Sequence, residues 1–160
     1  MNVNNYREGI YNINNTVFKN MNSESGSIIH IDSTGDKTTS EIKINNSKFE
    51  NVTANRYGGI IYSLSKLTPS FVSFNDCEFK MTKAYIGNIA YSLDKYSEPY
   101  ISNVNELKQI KGNMASNPTN IKINEEYKDI IELYSGEKLP DNITCNITYK
   151  YIYLNLKYVV

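Results

Sequence analysis

One phrase recurs three times along this chain at a spacing of about thirty residues, and it constrains the fold more than any other feature. Each copy contains an apolar residue, a polar corner of the type Asn-Asn-Thr, and a phenylalanine. The phenylalanines are separated by 31 and 30 residues and are Phe18, Phe49 and Phe79. A repeat of this length indicates a stacked solenoid, in which each unit buries its apolar side against its neighbours.

A glycine follows each phrase and precedes an apolar stretch; these glycines are Gly26, Gly58 and Gly87. The distance from phenylalanine to glycine is 8, 9 and 8 residues in the three copies. The second copy therefore contains one inserted residue, although both of its motifs are intact. We expect the insertion, and Arg56 with it, in a turn, because a one-residue slip within a strand would turn every later side chain to the opposite face.

The segments between these motifs are typical of strands. Glu41–Ile44 and Gly59–Leu64 are rich in β-formers with short apolar alternations, and no copy has the capped apolar periodicity of a helix. We predict an all-β fold in which each repeat forms one coil of a parallel β-helix, with about three rungs in total. The Phe and Ile positions would stack inside, the Asn corners would form a ladder, and the glycines would serve the next bend.

Residues 44–63 carry a resemblance to a known group. They read Ile-x-Asn-Asn-Ser-x-Phe-x-Asn and then Tyr-Gly-Gly-Ile-Ile-Tyr-Ser, which resembles the repeats of polymorphic outer-membrane-protein-like and fungal scaffoldin-like surface proteins. The resemblance covers about residues 10–100 and implies a right-handed parallel β-helix on a cell surface. Only the second repeat retains Gly-Gly, and Met81 replaces the asparagine found at Asn20 and Asn51.

The composition changes after the third repeat, which suggests three regions. Residues 1–100 are predicted to be the β-helix repeats, and 101–116 a linker or a last irregular rung. Residues 117–160 have an extended entry at Pro118 and period-two alternation in Ile143–Tyr149. Their order resembles the opening strands of the sandwich modules that follow β-helix repeats in such surface proteins. We expect the beginning of an immunoglobulin-like β-sandwich, whose tail is one closing strand or an incomplete domain.

Charge and hydropathy restrict the partners. The chain has 17 basic and 17 acidic side chains, and without a basic stripe we expect no nucleic-acid binding. No apolar run has the length of a membrane span, and no signal peptide is recognisable at Met1. Since the resemblance implies an extracellular or cell-surface location, the chain is interpreted as a fragment of a larger protein, as the product of an incomplete gene model, or as a protein that is not secreted. Its expected partners are neighbouring repeats of a longer parent protein, polysaccharides or other surface proteins.

Five N-glycosylation sequons are present in this asparagine-rich chain. Those at Asn14 and Asn45 fall in the predicted corner ladder, where a glycan would obstruct stacking. The remaining candidates for N-glycosylation are Asn51, Asn142 and Asn146.

The two cysteines do not form a disulfide framework. Cys77 occupies the position of Thr16 and Ser47 in the other repeats, so we interpret it as a small residue that fills the same position. Cys145 lies far away in the last region. Whether Cys77 and Cys145 form a disulfide is not decided by the sequence.

The parallel β-helix is also the fold of polysaccharide lyases and hydrolases, which need carboxylates or a calcium cluster on one face. The acidic residues of this chain are scattered, and none recurs on successive rungs. Asp76 is the one acid of interest, because the equivalent residues Asn15 and Asn46 are neutral, although replacement of Asn in a turn explains it equally well. We expect no catalytic residue, no cofactor and no metal ligand.

Tyrosine is abundant, with 14 residues. His30 aligns with Tyr62 and Tyr91 and is predicted to be the third member of a ring column. Tyr57 and Tyr85 are interpreted as matching positions of their repeats, each just before the glycine, and if this pair faces outward it would form a platform for a carbohydrate. Aromatic stacking that merely flanks the rungs is the alternative explanation.

These observations favour a non-catalytic structural, adhesion or scaffold segment of a large surface protein. Two alternatives stay open. One is a carbohydrate-binding β-helix that uses Tyr57 and Tyr85, and the other is the remnant of a polysaccharide lyase or glycoside hydrolase.

Overall fold

The computed structural model describes residues 2–3, 9–32, 40–117, 120–123, 145–149 and 152–154. Strands predominate, and the two helices in this part of the chain are single short turns of four and six residues. The elements in chain order are β1 (Asn2–Val3), β2 (Ile10–Asn14), β3 (Val17–Ser25), β4 (Ile29–Ile31), β5 (Glu41–Asn45), β6 (Lys48–Tyr57), β7 (Ile61–Ser63), α1 (Thr68–Phe71), β8 (Val72–Asn75), β9 (Glu78–Lys80), β10 (Ala90–Ser92), β11 (Tyr100–Ile101), α2 (Val104–Gln109), β12 (Met114–Ser116), β13 (Asn120–Ile123), β14 (Cys145–Tyr149) and β15 (Ile152–Leu154).

Twelve of these strands form three parallel sheets. Sheet A has the order β1-β4-β7-β10-β12, sheet B the order β11-β8-β5-β2, and sheet C the order β3-β6-β9. The chain visits sheets B, C and A in turn, with β2, β3 and β4 in the first repeat and the corresponding strands in the next two. The all-β prediction is therefore confirmed, and the parallel sheets fit a β-helix or a related solenoid.

Strand register preserves the sequence repeat. Residue Ile13 pairs with Ile44 and Ile44 with Phe74 in sheet B, whereas Phe18, Phe49 and Phe79 are in register in sheet C. The Phe49 ring lies 4.9 Å from the Phe18 ring and 5.1 Å from the Phe79 ring and is nearly parallel to both, so the three rings are stacked. Phe49 is fully buried. The column of rings inside sheet C thus extends through all three repeats.

Left-handed backbone occurs at the corner that the sequence predicts and at a second corner that it did not predict. The first corner column has φ of 50°, 48° and 49° and consists of Asn15, Asn46 and Asp76. A second column has φ of 55°, 52° and 52° and consists of Asn20, Asn51 and Met81. Asparagine is among the few residues other than glycine that adopt this conformation readily, which explains why the corners are rich in it.

The glycines of the second motif occupy the third bend. Gly58 has φ of +59°, and a Cβ atom at this position would lie 2.0 Å from the carbonyl oxygen of Ile61. Gly26 and Gly87 have the same left-handed backbone. Only glycine satisfies both the backbone angle and the close approach of the next strand.

The inserted residue of the second repeat does not lie in a turn, and that prediction is wrong. Ser23 pairs with Ala54 but Ser25 pairs with Tyr57, so the register between β3 and β6 shifts within the strands. Arg56 belongs to strand β6. A β-bulge absorbs one extra residue locally and allows the pairing to continue on both sides, so the insertion does not have to leave the sheet.

The parallel sheets continue beyond the third repeat. Strand β11 extends sheet B on β8, and β12 extends sheet A on β10. Helix α2 lies between them in the chain, within the region 101–116 that was predicted to be a linker or a last irregular rung. The proposed boundaries at residues 100 and 116 stay predictions.

The last described strands form a separate antiparallel sheet with the order β13-β14-β15. Residue Tyr149 pairs with Ile152, so the chain reverses between β14 and β15 rather than forming a single tail strand. The sandwich itself stays a prediction.

Candidate functional site

The outer face of sheet A carries a column of rings. His30 pairs with Tyr62 and Tyr62 with Tyr91 in adjacent strands. The His30 and Tyr62 rings lie 4.8 Å apart, and the Tyr62 and Tyr91 rings 5.8 Å apart. The predicted ring column is therefore confirmed.

The histidine of this column is held by two hydrogen bonds. Its Nδ1 lies 2.9 Å from the carbonyl oxygen of Ser25, and its Nε2 lies 3.0 Å from Oδ1 of Asp32. Burial, together with the nearby Asp32 carboxylate, raises the pKa of the Tyr62 hydroxyl above its usual value. Both ring nitrogens are engaged in positioning the imidazole, which favours a structural role for His30.

Tyr57 packs beside this column instead of forming an open platform. Its ring lies 6.1 Å from the Tyr62 ring and 4.8 Å from the Tyr91 ring. The Arg56 guanidinium lies 5.2 Å from the centre of the Tyr57 ring. Because these contacts occupy ring faces, little of the Tyr57 surface is left to stack on a ligand.

Tyr57 and Tyr85 do not share a column. Tyr57 pairs with Ile86, the residue after Tyr85, and neighbouring residues in an extended chain point to opposite faces. Tyr85 is 80% exposed, whereas Tyr57 is half-buried. The platform predicted from these two residues is not formed, because Tyr57 immediately precedes its glycine and Tyr85 does not.

A groove lies on the outer face of sheet B. Its floor is a row of side chains from three adjacent strands, in which Lys43 pairs with Ser73 and Ser73 with Tyr100. Pro69 and Phe71 of α1 line the groove as well, and its volume is about 200 Å³. Helix α1 lies in the connection between β7 and β8 and contributes Pro69 and Phe71 to one side of the groove.

The groove combines an aromatic ring with a paired charge. The Lys43 Nζ atom lies 2.6 Å from Oε1 of Glu41, and both residues line the groove. Tyr100 is 54% exposed, and no ring contact among the described residues involves it. This arrangement offers an open aromatic surface next to one donor and one acceptor.

Sequence reasoning did not identify Tyr100, because it follows the third complete repeat. A signal was present, since Ile101 lies 27 residues after Phe74 and is followed by Ser-Asn. That spacing and the short polar segment are those of an incomplete fourth copy.

The outer face of sheet C carries paired opposite charges. Lys19 lies 3.3 Å from Glu50 across the first two rungs, and Lys48 lies 3.1 Å from Glu78 across the next two. Lys80 lies 3.0 Å from the same Glu78 carboxylate. A hydrogen bond from Lys80, and a second one from Lys48, hold the pKa of Glu78 below its usual value. The exposed acidic and basic side chains of sheet C are therefore paired with one another.

Asp76 lies in the first corner column in place of asparagine. Its φ of 49° matches those of Asn15 and Asn46, and its backbone N–H donates to Oγ of Ser102 at 3.0 Å. In the described ranges no group of three or more His, Cys, Asp or Glu side chains could hold a metal ion. No helix in that part of the chain has the length and hydropathy of a membrane span.

Cys77 fills the same position as its counterparts in the other repeats, as predicted. Its thiol donates to the carbonyl oxygen of Asn75, and the hydroxyls of Ser47 and Thr16 donate to the residue two positions before them in the same way. Cys77 is buried and free. Burial raises the pKa of the Cys77 thiol, which disfavours the reactive thiolate. The side chain of Cys145 lies outside the described residues.

The structure places one of the three glycosylation candidates in a ladder. Nδ2 of Asn51 donates to Oδ1 of Asn20 at 2.8 Å, as Nδ2 of Asn45 donates to Asn14. A glycan on Asn51 would be attached to the atom that makes this bond, so the objection to Asn14 and Asn45 applies to it equally. Asn142 and the side chain of Asn146 lie outside the described residues.

Comparison with protein-family models, with curated proteins and with solved structures found no match.

Proposed function

We propose that this chain is a non-catalytic structural segment of a large extracellular or cell-surface protein. In this proposal the three parallel sheets are a right-handed parallel β-helix that serves as a spacer, adhesin or scaffold. The location follows from the resemblance of residues 44–63 to surface-protein repeats, and the mechanical role follows from the contacts between rungs.

The observation that carries the proposal is the continuity of side-chain ladders from rung to rung. The amide of Asn75 donates to Asn45 and that of Asn45 donates to Asn14, each at 2.8 Å. The stacked phenylalanines run parallel to them inside sheet C. Each ladder makes the same contact at every step, and strands in a sheet are spaced by about 4.8 Å. The repeat number would therefore set the length of a stiff rod.

The acidic side chains are engaged in the same framework. Glu50 and Glu78 pair with lysines across sheet C, Glu41 pairs with Lys43, and Glu98 pairs with Lys108. Ion pairs that cross rungs fix the register of neighbouring strands. This use of the carboxylates favours a structural role over general acid–base chemistry, which needs a carboxyl group aimed at a substrate.

The first described edge of sheets B and C suits neighbouring repeats as partners. The core-facing residues Ile13 and Phe18 are only half-buried along this edge, whereas their partners in the next rung, Ile44 and Phe49, are fully buried. Asn14 accepts a hydrogen bond through its Oδ1 atom, and no partner of its Nδ2 lies within the part of the chain that the structure describes. A further rung would cover the apolar residues and extend the ladder through that amide.

Antibodies raised against the folded chain test the location on cells that produce it. Labelling of intact cells supports the proposal, and labelling only after permeabilisation would contradict the surface location. Incubation of the chain with neutral and acidic polysaccharides, followed by assays for reducing ends and for unsaturated products, tests the non-catalytic assignment. Heat-denatured chain is the control, and product release by the folded chain alone would overturn that assignment.

A further inference from the structure

The sheet B groove differs in chemistry from the outer faces of the other two sheets. On sheet A the tyrosine rings stack on one another, and on sheet C the exposed residues are lysine–glutamate pairs. In the groove, Tyr100 lies in register with Ser73 and Lys43. One aromatic ring, one hydroxyl, one ammonium and one carboxylate therefore line a single concave surface.

We infer that this groove binds a neutral carbohydrate, with one sugar ring against Tyr100 and its hydroxyls bonded to Lys43 and Glu41. A sugar ring has an apolar C–H face surrounded by hydroxyl groups that both donate and accept. Tyr100 matches the face, since a tyrosine ring is a large apolar surface with a polar edge. Lys43 donates and Glu41 accepts, and hydrogen bonds to charged groups are stronger than those between neutral groups.

The ion pair between Lys43 and Glu41 makes the groove selective for a ligand without net charge. With Nζ and Oε1 only 2.6 Å apart, the pair is neutral as a unit and presents its remaining donors and acceptors to the groove. A phosphate or an acidic sugar would have to compete with Glu41 for Lys43 and would be repelled by that carboxylate. A neutral sugar can use both groups without separating them.

The size of the groove limits the ligand to a short segment. Its volume of about 200 Å³ is less than the roughly 300–1,000 Å³ of pockets that enclose drug-sized ligands. The groove therefore accommodates about one ring, and the rest of an oligosaccharide would lie outside. The site does not depend on the scaffold role proposed above, because its lining residues from β5, α1, β8 and β11 are not members of the asparagine or phenylalanine ladders.

The experiment is a titration of the full chain with neutral oligosaccharides of glucose, mannose and N-acetylglucosamine, followed by saturation-transfer NMR. We expect saturable binding of at least one series. Tyr100→Ala should raise Kd by about tenfold or more, which corresponds to about 1.4 kcal/mol, and Tyr100→Phe should retain most of the affinity because it keeps the ring face. Tyr85→Ala is the matched control, since it removes an exposed tyrosine outside the groove and should leave Kd unchanged.

Several results would overturn the inference. These are absence of binding to the folded chain at millimolar sugar, equal affinity of Tyr100→Ala and the unaltered chain, or loss of binding in Tyr85→Ala. Tighter binding of an acidic sugar than of its neutral counterpart would overturn the charge assignment. If Tyr100→Ala fails to fold by circular dichroism, Lys43→Ala and Glu41→Gln serve instead, and each should weaken binding while Tyr100 is intact.

Discussion

The two corner columns have the same backbone conformation but different side-chain ladders. In the first column the neighbouring amides form an unbroken ladder through three rungs, made by Asn14, Asn45 and Asn75. In the second column the ladder has one step, from Asn51 to Asn20. The third position of that column is Met81, which has φ of 52° and is 69% exposed.

The comparison separates two contributions to a corner. Met81 adopts the left-handed conformation although a residue with a Cβ atom pays about 1–2 kcal/mol for it. The stacked strands on either side therefore impose the left-handed backbone conformation. The asparagine found at this position in the other rungs lowers the free-energy cost of that conformation but does not create the bend. Ladder bonds are a second contribution, and the Met81 rung lacks them.

The largest loss of stability is expected at a residue that packs between the two corner columns. Phe49 is fully buried in β6, between the corner residues Asn46 and Asn51. Phe49→Ala would remove the middle ring of the stack, and we expect a loss of about 3–5 kcal/mol in the free energy of unfolding. Urea denaturation measures it. Phe18→Ala, at the half-buried end of the stack, is the control, and an equal loss in both variants would refute this picture.

The next largest loss of stability is expected from the left-handed backbone of the first corner column. Asn46 is exposed with φ of 48°, so Asn46→Ala should destabilise the chain by about 1–2 kcal/mol through the left-handed conformation alone. Asn46→Gly provides the matched comparison, because glycine adopts this conformation without a steric cost. Denaturation of both variants gives the difference, and a glycine variant as unstable as the alanine variant would show that the side chain matters instead.

In the second corner column a substitution is expected to stabilise the chain instead of destabilising it. Met81→Asn should stabilise the chain by about 1 kcal/mol, because asparagine tolerates the left-handed backbone better than methionine does. It would also place an amide next to Asn51. Met81→Gly relieves the backbone without adding an amide, so the difference between the two variants in thermal unfolding measures the ladder bond. A destabilised Met81→Asn chain would contradict the equivalence of the three positions.

The smallest effect concerns the charges of sheet C, which differ from the corners in their response to pH. Because Lys80 and Lys48 hold the pKa of Glu78 below its usual value of 4.5, its ionised form is stabilised in the folded state. This stability is fully present above the unfolded pKa and is lost as the pH falls through the lower folded pKa.

Glu78→Gln should therefore lower Tm slightly near neutral pH, and the difference from the unaltered chain should vanish well below pH 4.5. Asn46→Ala is the reference variant for the pH dependence of Tm, because the free-energy cost of its left-handed backbone involves no titrating group. A difference for Glu78→Gln that persists at low pH would argue against the charge explanation.

Repeat spacing was sufficient to predict the sheets, the stacked phenylalanines and the His30–Tyr62–Tyr91 column, because equivalent residues of a stacked solenoid must lie in register. It was insufficient for the insertion before Gly58, since a turn and a bulge both restore the pairing and only the strand contacts distinguish them. The Tyr57–Tyr85 pair was misaligned by one residue for a simpler reason, because Ile86 and not Tyr85 immediately precedes Gly87.

The groove was beyond sequence reasoning for a different physical cause. Its residues come from β5, from the consecutive elements α1 and β8, and from β11, and neither α1 nor Tyr100 belongs to the three copies of the repeated phrase. Tyr100 and Lys43 lie in the same groove, on either side of Ser73, only because both are in register with that residue.

The sequence alone determined which residues are equivalent from rung to rung, where the chain must bend, and which rings stack, because these follow from a period that every copy repeats. Tertiary structure decided how the one irregular residue is absorbed, which tyrosines keep an open face, and which charges meet beside them. Those outcomes depend on contacts between rungs and on the position of α1, and a local pattern does not encode them.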